Sequence, residues 1–65
     1  MIIECIKGFQ VAGGPFPIMA GERFELVDID NSEFKGTEQS QFPEMLICFY
    51  DEQLANNFRF VVGSH

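Results

Sequence analysis

The sequence predicts an all-β fold: a small barrel of about five short strands with a short helical turn before the last strand. Three observations lead there. The chain of 65 residues carries eight phenylalanines and one tyrosine, and aromatic and β-branched residues suit pleated, half-buried surfaces. Its apolar residues fall into short segments of strand character, separated by turn residues. A long stretch rich in glycine and proline follows the first of these segments.

Residues 2–11 hold Ile2, Ile3, Cys5, Ile6, Phe9 and Val11, with Glu4, Lys7 and Gln10 between them. The β-branched isoleucines favour one strand, irregular near Gly8. "AGGPFPIMAG", residues 12–21, is a loop, because Pro15 and Pro17 impose extended or turn geometry and cannot donate to a ladder. Phe16, held between the two prolines, is expected to be partly exposed, either folded back as a lid over the core or serving as a candidate partner anchor. "ERFELVDID", residues 22–30, alternates Phe24 and Leu26 with Arg23 and Glu25, then shifts Val27 and Ile29 to the opposite parity. Such a switch predicts a bulge or a sharp bend in the strand. Residues 31–43 are polar, with Phe34 and Phe42 near the ends, and read as a ragged hairpin or long loop.

"EMLICFYD", residues 44–51, is the clearest strand. "EQLANN" has the composition of a helical turn, with Asp51 placed to cap it. "FRFVV", residues 58–62, alternates Phe58, Phe60 and Val62 with Arg59 and Val61 as a closing strand, and "GSH" is a frayed end. A chain this short forms one domain over residues 1–65 and buries only about 60% of the surface it exposes when unfolded.

Two of these stretches resemble SH3-like barrels. "PIMAGERFELVD" is similar to the end of their first long loop and the strand that follows. "QLANNFRFV" is similar to their short helical turn leading into the last strand. Together they cover about a third of the chain. The resemblance implies an SH3-like barrel of the kind frequent among small proteins of tailed phages and prophages. SH3 domains that bind proline-rich peptides use a tryptophan and a tyrosine cluster. This chain has no tryptophan and a single tyrosine, so that ligand class is not implied.

Charge excludes several roles. Ten acidic residues against four basic ones give a formal charge of −6, and Lys7, Arg23, Lys35 and Arg59 are scattered. Direct nucleic-acid binding needs clustered cations, and adsorption to an anionic membrane needs the same. No run approaches the roughly 18 apolar residues of a membrane span. The N-terminal "MIIECIKGF" lacks the pattern of a secretory signal. A cytoplasmic protein is therefore expected, with Cys5 and Cys48 reduced and buried.

No catalytic or cofactor site is expected. A Cys–His pair would depend on His65, the only histidine, at the last position. "DIDNSEFKGTEQ" places oxygens as a calcium loop does at its first positions. It then has Glu33 where the sharp turn needs glycine and Gln39 where a bidentate glutamate belongs. Two distant cysteines and one histidine are too few for zinc.

Two surfaces remain as candidates. In "MLICFY", residues 45–50, either Met45, Ile47 and Phe49 or Leu46, Cys48 and Tyr50 must face away from a single interior. Met45, Ile47 and Phe49, together with Phe16, are the expected partner-binding set, either for a protein partner or for self-association. The acidic stretch, with Glu25, Asp28, Asp30 and Glu33, offers a second surface. It would let the chain imitate a phosphate row and inhibit a basic nucleic-acid-binding protein, or serve simply as a solvated edge. The expected function is thus non-catalytic protein binding by an accessory or regulatory protein of the phage-encoded kind, which binds a host or virion protein through an apolar and aromatic face. The acidic decoy and a self-assembling structural subunit are the alternatives.

Overall fold

The computed structural model describes residues 1–11 and 17–61. Five strands form one antiparallel sheet in the order β6-β5-β4-β1-β7: β1 (Ile2–Cys5), β4 (Arg23–Asp28), β5 (Glu33–Gly36), β6 (Leu46–Cys48) and β7 (Phe58–Phe60). A hairpin of β2 (Phe9–Gln10) and β3 (Pro17–Ile18) lies between the first two, and helix α1 (Asp51–Asn57) immediately precedes β7. This is the expected all-β arrangement, with the short helix in the predicted place.

The first segment is two strands in two sheets. The chain leaves β1 after Cys5 and re-enters pairing at Phe9. Gly8 permits the approach, since a Cβ there would come within 2.9 Å of the Ile18 carbonyl oxygen. Part of the expected loop is also strand. Pro17, which has no N–H, sits opposite Gln10, and Ile18 opposite Phe9. The candidate Phe16 lies outside the described residues.

In β4 the parity switch is a register irregularity between Leu26 and Asp28. It keeps Phe24 and Leu26 on the inner face and leaves Val27 and Ile29 exposed. The polar stretch 31–43 hides a strand. In β5, Phe34 is buried between Leu26 of β4 and Ile47 of β6. Its ragged polar surroundings obscured the alternation. Beyond it, a Cβ on Gly36 would meet the Phe42 carbonyl oxygen at 2.7 Å, so the strand ends against a tight return. Tyr50 rather than Asp51 occupies the N-cap of α1, and its N–H donates to Gln53 Oε1 at 3.0 Å. Asp51 is already the first helical residue.

The run 45–50 resolves by register. Phe34 faces Ile47 across the β5–β6 ladder, and directly opposed residues share a face. Met45, Ile47 and Phe49 therefore turn inward, and Phe49 is only 2% exposed. Their expected role as a partner surface is corrected: Phe49 is core, and Ile47 packs against that core. Leu46, Cys48 and Tyr50 form the outward set.

Phe49 stands at the centre of the aromatic load. Its ring centroid lies 4.7 Å from Phe58, 5.2 Å from Phe24, 5.7 Å from Phe34 and 5.9 Å from Phe9. The pairs with Phe9 and Phe24 are edge-on, a geometry that ring quadrupoles favour, and those with Phe34 and Phe58 are tilted. Five of the eight phenylalanines thus build one interior with Ile3, Cys5 and Ile18.

The two cysteines separate the same way. Cys5 is buried and its Sγ–H donates to the Lys7 carbonyl at 3.3 Å, whereas Cys48 is exposed. Burial pushes the Cys5 thiol above its ordinary value, despite that hydrogen bond, with Glu22 and Glu4 adding to the rise. The expectation that both are buried holds for Cys5 alone. A water-soluble thiol reagent is therefore expected to modify one thiol per chain, Cys48, under native conditions and both in denaturant. Mass spectrometry of the labelled peptides checks this, and native labelling of Cys5 would refute the assigned parity of the strands.

Candidate functional site: an apolar groove at one end of the sheet

The outer face of the sheet is polar and largely self-neutralised. Glu4 Oε1 accepts from Arg23 Nε at 3.0 Å and lies 3.3 Å from Arg59 Nη2. Glu25 stands opposite Lys35, whose ammonium lies 3.5 Å from Glu44. At the β6 edge the outward Leu46 and Cys48 stand opposite Lys35 and Glu33.

The inner face is not fully covered. At the end where β1 begins and β4 and β7 finish, a cavity of about 160 Å³ remains open. Ile3, Leu26, Phe34 and Phe58, one from each of four adjacent strands, form its floor. Met1, Ile29, Leu54 and Phe60 form its walls, with Ser32 and Arg59 as the polar members. The walls are apolar and wet: Met1 is 55%, Phe60 64% and Ile29 72% exposed.

Each wall residue has a local cause. Phe60 lies two residues beyond the buried Phe58 and so shares its face. It sits at the strand end where the inner face runs out into solvent. Ile29 is carried by a tight turn after the bulge, in which Asp28 Oδ1 accepts from the Asp30 N–H at 3.0 Å and Oδ2 from Asn31 Nδ2 at 2.8 Å. Ser32 closes that turn at φ 51, in the left-handed region, and its carbonyl accepts from the Phe49 N–H. Leu54 reaches the groove from the middle of α1.

Of the four acidic candidates, Glu25 and Glu33 belong to the outer face, Asp28 stands directly opposite Glu33 and caps the turn, and Asp30 is exposed on that turn. A fifth carboxylate, Glu22, is buried at the other side of the molecule. It accepts from the Met19 N–H at 2.6 Å, Gln41 Nε2 at 2.8 Å, the Gln41 N–H at 2.9 Å and Ser40 Oγ at 3.1 Å. Burial pushes its pKa up, but these hydrogen bonds outweigh burial and hold the carboxyl below its ordinary value.

No group of three or more His, Cys, Asp or Glu among the described residues could hold a metal ion. None of the described helices is long and apolar enough to cross a membrane. His65 lies outside the described residues.

Sequence reasoning did not select the groove, because Met1, Ile29, Leu54 and Phe60 come from four separate segments. One signal was present: Ile29 is an apolar residue set between Asp28 and Asp30 in an otherwise polar turn. No protein-family model, curated protein or solved structure matches the chain.

Proposed function

We propose that the chain is a non-catalytic protein-binding module, an accessory or regulatory protein that docks a partner in the groove walled by Met1, Ile29, Leu54 and Phe60. The observation that carries this reading is the apolar cavity of about 160 Å³, whose walls include Met1, Ile29 and Phe60, each more than half exposed, beside the partly buried Leu54. Contiguous exposed apolar surface on a small domain costs solubility, and it tends to mark interaction sites. Aromatic residues and methionine, as at Phe60 and Met1, are the types enriched in interface cores. In place of Met45, Ile47 and Phe49, the proposal thus rests on the residues that the fold leaves outside.

The test is capture from native lysate with the wild-type chain and two variants as bait, washed at low and high salt. A stoichiometric protein retained by wild type is expected to be lost with Phe60→Asp. It should be kept with Leu46→Asp, which places the same charge on the opposite face. Phe60 is solvent-exposed, so the substitution should change folding stability by no more than about 0.5 kcal/mol. Equal capture by both variants would refute the groove as the docking site. Loss in salt with indifference to Phe60→Asp would favour the acidic surface instead.

A further inference from the structure

Granted the docking role proposed above, the groove's size, charge and position select the chemistry of its occupant. We propose that it receives one large apolar side chain from a short extended segment of another protein, with lysine or arginine within two or three residues of that anchor, lying alongside β7.

Size sets the anchor. Pockets that enclose drug-sized molecules have volumes of roughly 300–1,000 Å³, and the groove has about 160 Å³. An apolar cavity of about 150 Å³ holds a single benzene ring. One phenylalanine, leucine or methionine side chain therefore matches the space, and a free metabolite of ordinary size does not.

Charge sets the flanks. The turn that brings Ile29 and Ser32 to the groove also carries Asp28 and Asp30. The first turn of α1, just before Leu54, carries Asp51 and Glu52. Against these four carboxylates stand the Met1 amino group and Arg59, whose guanidinium is already engaged by Glu4 at 3.3 Å. A second copy of the chain would bring the same carboxylates and a net charge of −6 to the contact, so self-association through this face is opposed by repulsion.

Position sets the conformation. Among the described residues β7 pairs only with β1. The Val61 N–H bonds the Ile2 carbonyl, and the Ile6 N–H bonds the Asn57 carbonyl. Since antiparallel strands alternate the direction of their backbone groups, Phe60 directs its N–H and C=O away from β1, beside the groove. A segment pairing there presents the side chain opposite Phe60 to the same face, over the cavity.

Binding is read by methyl and amide NMR on the full chain with a synthetic peptide, a central Phe flanked on each side by two lysines. Two controls replace the Phe by Ser, or the lysines by glutamates. Shifts are expected on Met1, Ile29 and Leu54. Each control should bind at least about tenfold more weakly, as expected for loss of an anchor or reversal of flanking charge. The chain variant Asp28→Asn/Asp30→Asn should weaken the lysine peptide severalfold and flatten its salt dependence. Equal binding of lysine and glutamate peptides at the groove would overturn the basic segment while leaving the docking role intact. Groove shifts that follow protein concentration without peptide would replace the segment by a second copy. Absence of any peptide binding, with partner capture unaffected by Phe60→Asp, would remove both the segment and the docking role.

Discussion

Replacing Phe49 by alanine is expected to unfold the protein or bring it to the edge of unfolding. Phe49 meets four other phenylalanine rings and is 2% exposed. Truncation of a buried phenylalanine costs about 3–5 kcal/mol, from lost transfer energy plus the cavity left behind. A domain of this length has a total stability of roughly 3–10 kcal/mol, at about 0.05–0.15 kcal/mol per residue. The loss is therefore a large share of the whole. Phe49→Leu keeps most of the volume and should cost much less. Thermal and urea unfolding by circular dichroism decide the matter. A Phe49→Ala chain as stable as wild type would mean that the residue is not in the core and that the parity of residues 45–50 is inverted.

The second large effect is expected at Glu22. Four neutral donors converge on its carboxylate, from the turn after β3 and from the return that follows β5. Glu22→Gln preserves the shape but sets an NH2 group against donors. It should cost about 2–3 kcal/mol, because buried donors are left without acceptors. The pH dependence has a definite sign. The folded-state pKa lies below the ordinary value of 4.5, so the unfolded chain takes up its proton first as pH falls. The stabilisation is complete above the unfolded pKa and is lost as pH falls from there through the lower folded value. Urea midpoints for wild type and Glu22→Gln should therefore converge in acid and diverge toward neutrality. Parallel curves across that range would show that the clasp does not depend on the ionised carboxylate.

These two residues illustrate different degrees of legibility. The need for an aromatic core was visible in the count of phenylalanines, and Phe24 and Phe58 were visible in alternating strands. Phe49 sat in a run with no alternation to orient it. Glu22 looked like one more surface acid, because a carboxylate's burial depends on donors from residues 19, 40 and 41, the last two of them 18 and 19 positions along the chain. Strand β5 was left open between a ragged hairpin and a long loop because its one buried side chain, Phe34, has polar residues on either side. Its assignment as a strand comes from pairing on both sides rather than from its own pattern.

By itself the sequence determined the all-β class, a bulge or bend within residues 22–30 and the helical turn before the last strand. Each of these follows from local composition or parity, which are properties of neighbouring residues. The tertiary structure alone decided which half of "MLICFY" is inside, that Cys48 is exposed while Cys5 is buried, and where an apolar groove opens. A strand's two faces are chemically equivalent until a partner strand fixes the register, and a one-residue slip exchanges them. The groove is decided later still. It exists because β1, β4 and β7 reach one end of the sheet together, where Ile29 and Phe60 run past the end of the core and stay in water.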